Sequence, residues 1–288
     1  DGGLIAPAED RKKYKNLKIC TIKKDQKFTH GKKLALTIGI KSSRHDILLL
    51  TDADCAISSN NWIKYMARNY QDKKEIVLGV GLYKKRKGLL NLLIRYETVF
   101  IAMQYISMAK IGKPYMGVGR NLSYKKSLFF NNRGFASHLK LESGDDDLFI
   151  SEVSNKSNTC VENHPESFTW SEPETTFRNW LRQKRRHLTT GKFYQQSVKR
   201  ILGLEYLSRI LLFISFILLL LRFEYILFPL IVYILGLIIK SIINIIVFKG
   251  FNEKFIFLPS ILIDIFIPII YSYLHFTNYI ESKRSRWQ

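Results

Sequence analysis

Ile47-Leu48-Leu49-Leu50-Thr51-Asp52-Ala53-Asp54-Cys55 is the stretch whose reading decides the fold of this chain. Four consecutive apolar residues predict a strand, and an unbroken apolar run suits a parallel strand covered on both faces. The run ends directly in two carboxylates one residue apart. In open α/β sheets ligands bind beyond the carboxyl ends of the strands. Asp52 and Asp54 are therefore expected to point hard oxygen ligands into a crevice. Mg2+ or Mn2+ can sit between such a pair and a diphosphate, neutralising its charge. The plainer alternative is an acidic turn after a strand.

Working outward, Leu17–Ile22 reads as a short strand and Gly31–Ser43 as a helix of three turns. Asn61–Tyr70 reads as a helix with Asn60 or Asn61 as its N-cap, and Ile76–Leu82 as another buried strand. Strands alternating with helices over short links predict an α/β sheet. Leu89–Ala109 is a long, mostly apolar helix carrying Arg95 and Glu97, expected in the core or at an interface rather than as a span. Gly112–Asn121 is a loop whose Gly112, Gly117 and Gly119 suit close backbone approach by a ligand. Thr175–His187 reads as an amphipathic helix with Trp180 and Leu181 among basic residues.

The chain has 288 residues, enough for one catalytic domain and an appendage. Its hydrophobic fraction is 47% against 24% charged residues, and the two are unevenly spread. Up to about Gln196 they interleave; from Leu207 onward apolar runs dominate. The net charge of +21 suits either nucleic acid or an anionic membrane. Spans such as Ile210–Leu221 and Phe255–Ile270 favour the membrane, so no nucleic-acid partner is expected. Cys20, Cys55 and Cys160 have no CxxC spacing, which excludes a disulfide framework or zinc site and fits a reduced, cytosolic domain.

The membrane part is expected at 201–288, with helices at about 204–221, 225–247 and 255–277. Arg222-Phe223-Glu224 links the first two as a hairpin. Pro259, Asp264 and Pro268 mark the third as a kinked span or a re-entrant segment. Arg178, Arg182, Lys184, Arg185, Arg186, Lys192, Lys199 and Arg200 place the preceding domain in the cytoplasm. Keeping the basic tail Lys283-Arg284-Ser285-Arg286 on that side favours two spans plus a non-spanning segment over three spans.

Two further motifs carry chemistry. Gly144-Asp145-Asp146-Asp147-Leu148 gathers three acids whose mutual repulsion favours a bound cation or a raised pKa, as a general base needs. Acids in the first turn of a helix are the structural alternative. Gln183-Lys184-Arg185-Arg186-His187 follows Trp180 and offers guanidinium groups to a diphosphate. A basic face against anionic lipid is its alternative.

Taken in order, Asp52-x-Asp54, Gly144-Asp145-Asp146 and Gln183-x-x-Arg186, followed by apolar helices, resemble the family 2 glycosyltransferases. Within these the chain is similar to the membrane-embedded branch that includes cellulose, chitin and hyaluronan synthases, over roughly Leu17 to His187. The resemblance implies a GT-A nucleotide-diphospho-sugar transferase domain over residues 1–200, a mixed α/β sheet with flanking helices, followed by C-terminal transmembrane helices. It implies inverting displacement at an anomeric carbon, Mg2+ or Mn2+, a UDP- or GDP-sugar donor and a glycan or lipid-linked acceptor. It also implies an integral protein of a bacterial inner membrane, in contact with membrane lipids, serving cell-surface polysaccharide synthesis. By the same resemblance Asp52 contacts the nucleotide sugar and Asp54 the metal; Asp146 is the base, with Asp145 as the second choice. Gln183 and Arg186 lie near the diphosphate and acceptor, Lys33 contacts phosphate, and Gly119-Arg120-Asn121 form the acceptor loop.

The chain departs from the pattern twice. His187 stands where the family has a tryptophan, which transfers the acceptor-stacking role to His187 itself or to Trp180. The family's first strand, with its base-holding acids, has only Asp1-Gly2-Gly3 as a counterpart, so an N-terminal piece is expected to be absent. Few spans favour single transfer over processive synthesis. A non-catalytic membrane scaffold retaining the fold is the alternative from another class.

Overall fold

The computed structural model describes residues 16–20, 22, 31–220, 227–253 and 256–284. Asp1-Gly2-Gly3, the Arg222-Phe223-Glu224 link and the tail residues Ser285 and Arg286 lie outside them.

Helix α1 (Gly31–Ser42) leads into β1 (Ile47–Leu50), then β2 (Ala56–Ile57), α2 (Trp62–Ala67), β3 (Ile76–Leu78) and β4 (Gly81–Tyr83). The long α3 (Leu89–Lys110) follows, then β5 (Leu122–Lys125), α4 (Lys126–Asn131), α5 (Asp147–Val153), β6 (Thr159–Val161) and β7 (Thr169–Ser171). The chain closes with α6 (Phe177–Leu188), α7 (Gln196–Leu220), α8 (Leu227–Gly250) and α9 (Phe257–Arg284). Leu17–Cys20 and Ile22, expected in a strand, carry none.

Two mixed sheets result. The first has the order β1-β5-β3-β6, with β5 antiparallel to β1 and β3, and β3 parallel to β6. The second is β2-β7-β4. The expectation of a parallel β1 covered on both faces is corrected. Among the described residues β1 pairs only with β5, antiparallel, at the sheet's edge. Its pleat buries Leu48 at 7% exposure and leaves Ile47 at 45%.

Ile76–Leu82 is likewise two strands in different sheets. The break falls at Gly79, where an added Cβ would stand 2.5 Å from Asn121 Cγ. The Asn121 amide donates to Val80 O and Ser167 O and accepts from Trp62 Nε1, which ties the crossing point together. At the head of α2, Asn61 occupies the N-cap position, but its amide goes to Glu166 Oε2 at 2.7 Å instead of capping.

The core lies between the first sheet, α3 and α5: Ile76, Leu78, Leu122, Tyr124, Val99, Tyr105, Phe149 and Ile150 are all buried. Each such side chain contributes about 1.5–3 kcal/mol. Helix α3 is a core helix, as one of the sequence alternatives had it. Its buried Arg95 pairs with Glu253, and its buried Glu97 pairs with Lys184 of α6 at 2.5 Å and accepts from Tyr271 of α9. Helices α7 and α8 are long and apolar enough to cross a membrane, and their apolar stretches are largely exposed, although Val198 of α7 and Phe248 of α8 are buried in the core. Helix α9 contains Pro268 and lies against α3 and α6, where Asn278 donates to Arg185 O.

Candidate active site

At the carboxyl end of β1 a cavity of about 690 Å3 opens between Asp52 and Asp54 on one rim and Asp145, Asp146 and Asp147 on the other. Gly119, Arg120, Gln183, Lys184, Arg186 and His187 also line it, and it continues between α3, α7 and α9 to Tyr206, Tyr271 and His275.

Thr51 leaves the strand with its hydroxyl on Arg120 O at 2.9 Å, and a Cys55 N to Asp52 O bond of 3.1 Å closes the turn that displays both acids. Lys32 spans the crevice: its Nζ lies 3.2 Å from Asp52 Oδ1 and 2.8 Å from Asp145 Oδ2. Burial opposes the charge of Lys32, but Asp145, Asp52 and Asp146 outweigh it and hold the ammonium above its ordinary value.

Asp146 caps α5, accepting from Asp147 N on Oδ1 and from Gly119 N on Oδ2 at 2.7 Å. An added Cβ on Gly119 would come within 3.3 Å of that oxygen, a tight contact that the carboxylate would relieve by shifting a few tenths of an ångström. Burial, then the charges of Asp145 and Asp147, push the Asp146 carboxyl up to about 7, with Lys32 and the Gly119 N–H opposing. A carboxyl titrating near neutrality is suited to accept a proton. His187 faces the crevice. Desolvation in the crevice, then the charges of Lys184, Arg186, Arg120 and Lys32, lower the pKa of its imidazole.

Three expectations are corrected. Lys33 does not face the crevice: it is 1% exposed and donates to His138 O, Leu141 O and Ser143 O, because it shares the inner face of α1 with Ile40. Desolvation lowers its pKa. The lysine at the site is its neighbour, Lys32. Trp180 is buried with Tyr83 and Ile94, so it packs α6 onto the fold instead of offering a stacking face. Asn121 spends its amide on the sheet crossing, and of Gly119-Arg120-Asn121 only Gly119 and Arg120 line the cavity. Arg120 lies over the Tyr83 ring at 4.3 Å and donates to Leu82 O.

Gln183 and Arg186 both line the cavity from α6, the latter 3.8 Å from Glu142. Asp54 is exposed, with only a 3.8 Å contact from its neighbour's Cys55 Sγ among the described residues. Two accessible carboxylates beside an open cavity fit Mg2+ or Mn2+, which take one or two protein carboxylates and complete their shell with phosphate and water. Among the described residues no group of three or more His, Cys, Asp or Glu forms a ready-made cation cage.

The model of the Glycosyl transferase family group 2 matches residues 47–279. Among solved structures the chain is similar to the mannosyltransferase PcManGT from Pyrobaculum calidifontis, determined in complex with GDP-Man and Mn2+. Identity is 16% and the TM-score 0.40, over 54% of this chain and 41% of that one, so the match spans less than half of PcManGT. Among curated proteins none matches. The family match takes in both acidic motifs, the basic helix and the long apolar helices, and the chain belongs to Glycosyl transferase family group 2.

Proposed function

We propose that this glycosyltransferase moves a sugar, with inversion, from a UDP- or GDP-sugar to a hydroxyl of a glycan or lipid-linked acceptor at the cytoplasmic face of a membrane, in polysaccharide synthesis. The observation that carries the reading is one cavity holding a displayed acid pair, a raised-pKa carboxylate and a basic helix. Asp52 and Asp54 would hold Mg2+ or Mn2+, whose charge offsets that of the donor diphosphate. Lys32, Gln183 and Arg186 bind the same diphosphate, and His187 with Arg120 lines the acceptor side. Asp146 accepts the proton of the acceptor hydroxyl. That oxygen then bonds to the anomeric carbon as the bond from carbon to the diphosphate oxygen breaks on the opposite face, which inverts the centre. Lys32 is drawn off Asp145 toward the departing diphosphate.

Helices α7 and α8 serve as the spans, supported by their length and exposed apolar surface. Lys192, Lys199 and Arg200 at the head of α7 favour a cytoplasmic catalytic half. The test is a screen of UDP- and GDP-sugars for metal-dependent transfer in membranes carrying the full chain. Asp54→Asn and Asp146→Asn should each lower transfer by about a hundredfold or more at low Mn2+ while the protein still inserts; wild-type turnover in both variants rejects the assignment.

A further inference from the structure

Asp147 opens α5 one residue after Asp146, and the proposed reaction gives it no step. It is 9% exposed, and among the described residues it makes no salt bridge. Its Oδ1 accepts from Leu148 N at 2.8 Å, as a first-turn acid ordinarily does. Its Oδ2 points elsewhere and accepts from Thr190 Oγ1 at 2.5 Å and Tyr194 OH at 2.7 Å. A carboxylate held nearly out of water is tolerable only with such a set of donors. Two of the three lie 43 and 47 residues further along the chain, in the turn that follows α6.

Both donors lead to the reaction machinery. The Thr190 Oγ1 also lies 2.8 Å from His187 O, in the last turn of the helix that carries Gln183 and Arg186, so its single proton is shared between that carbonyl and Asp147. Tyr194 meets Tyr115 edge-on at 5.5 Å, in the loop that ends at Gly119, whose N–H holds Asp146. One oxygen thus joins the end of α6, the head of α5 and the Gly119 loop.

We propose that Asp147 is a positioning residue, a latch gripped by Thr190 and Tyr194 that sets the spacing between the Gln183–Arg186 helix and Asp146. The inference rests on the proposed reaction. Burial and the charge of Asp147 hold the Tyr194 phenol well above its ordinary pKa, so it remains a proton donor to the latch. Because α6 carries its donor-binding groups with it, loosening the latch changes the distance to the base more than it changes donor affinity.

The experiment compares Thr190→Val, Tyr194→Phe, Thr190→Ser and Asp147→Asn in the full chain in membranes. Thr190→Val and Tyr194→Phe should each lower kcat about ten- to a hundredfold, the scale of an ångström misplacement. Donor KM should stay within about twofold, Thr190→Ser should restore kcat, and the double hydroxyl variant should cost less than the product of the singles, because both act on one oxygen. Loss of transfer in Asp147→Asn with wild-type kcat in both hydroxyl variants would overturn the proposal, since Asp147 would then act in the reaction itself. Unchanged kcat with only a lower melting temperature would overturn it too. A thermal-unfolding cycle between Asp147→Asn and Tyr194→Phe needs no donor: zero coupling refutes the latch, whereas a wild type without transfer refutes the reaction.

Discussion

The two acidic motifs of the crevice are built in opposite ways. Asp52-Ala53-Asp54 is displayed on an exposed turn, with Lys32 on one acid and a long thiol contact on the other. Asp145-Asp146-Asp147 is packed into the head of a helix, and each acid has its own partners: Lys32, then Gly119 N, then the Thr190 and Tyr194 hydroxyls. Accessible carboxylates are free to take and release a cation and its diphosphate. A desolvated, positioned one, Asp146, holds a raised pKa at a fixed place. In the proposed reaction the first motif serves exchange and the second proton transfer.

The sharpest way to break this division is Asp146→Asn. Transfer should fall by about 10²–10⁴, the range for a general base. The amide keeps one acceptor oxygen, enough for the Asp147 N–H that caps α5, and gives up the bond from Gly119 N, a local loss that should leave the fold standing. The folded-state pKa of Asp146 is raised from 3.8 to about 7, so its contribution to stability is present below the lower value and is lost as pH climbs through the upper one. At pH 8 Asp146→Asn should therefore melt a few degrees above the wild type, and at pH 4 it should not; calorimetry at the two pH values checks this. The wild-type rate should rise through the same range as Asp146 ionises, read from the acid limb of kcat/KM.

Asp54→Asn should cost about a hundredfold or more at low Mn2+ and recover in part as Mn2+ is raised, with the melting temperature unchanged. Lys32 links the motifs, so Lys32→Met should lower kcat/KM about ten- to a hundredfold, the worth of one charged hydrogen bond. It should also move the acid limb to higher pH, because Lys32 holds the Asp146 pKa down. Lys33→Met has the smallest effect on rate and the opposite character. It should lower stability by about 1–3 kcal/mol for each carbonyl left unpaired, Leu141 O and Ser143 O, since His138 O also accepts from Leu141 N, while kcat/KM of the folded protein stays near wild type.

Much of the crevice was legible because its chemistry is local in sequence. A strand running into two acids, or three acids after a glycine, states its character within five residues. What was not legible depended on distant partners. The direction of β1 follows from its ladder to β5, which no apolar run encodes. Asn121 lay in a loop suited to ligands, yet its bonds run to Trp62, Val80 and Ser167 in three separate segments. Trp180 among arginines suggested stacking on a ligand, whereas Tyr83 and Ile94 claim its ring. Lys32 was within reach: Lys33 stands seven residues before Ile40, on the same helix face, which leaves Lys32 to turn outward. Thr190 and Tyr194 gave no such signal, being ordinary turn residues until Asp147 is seen between them.

The division between the motifs is tested most directly by Mn2+-dependent binding of UDP or GDP to the full chain, measured by calorimetry in membranes. The account predicts that Asp146→Asn binds as the wild type does and that Asp54→Asn loses the metal-dependent part. Loss of binding in Asp146→Asn with full binding in Asp54→Asn would contradict it.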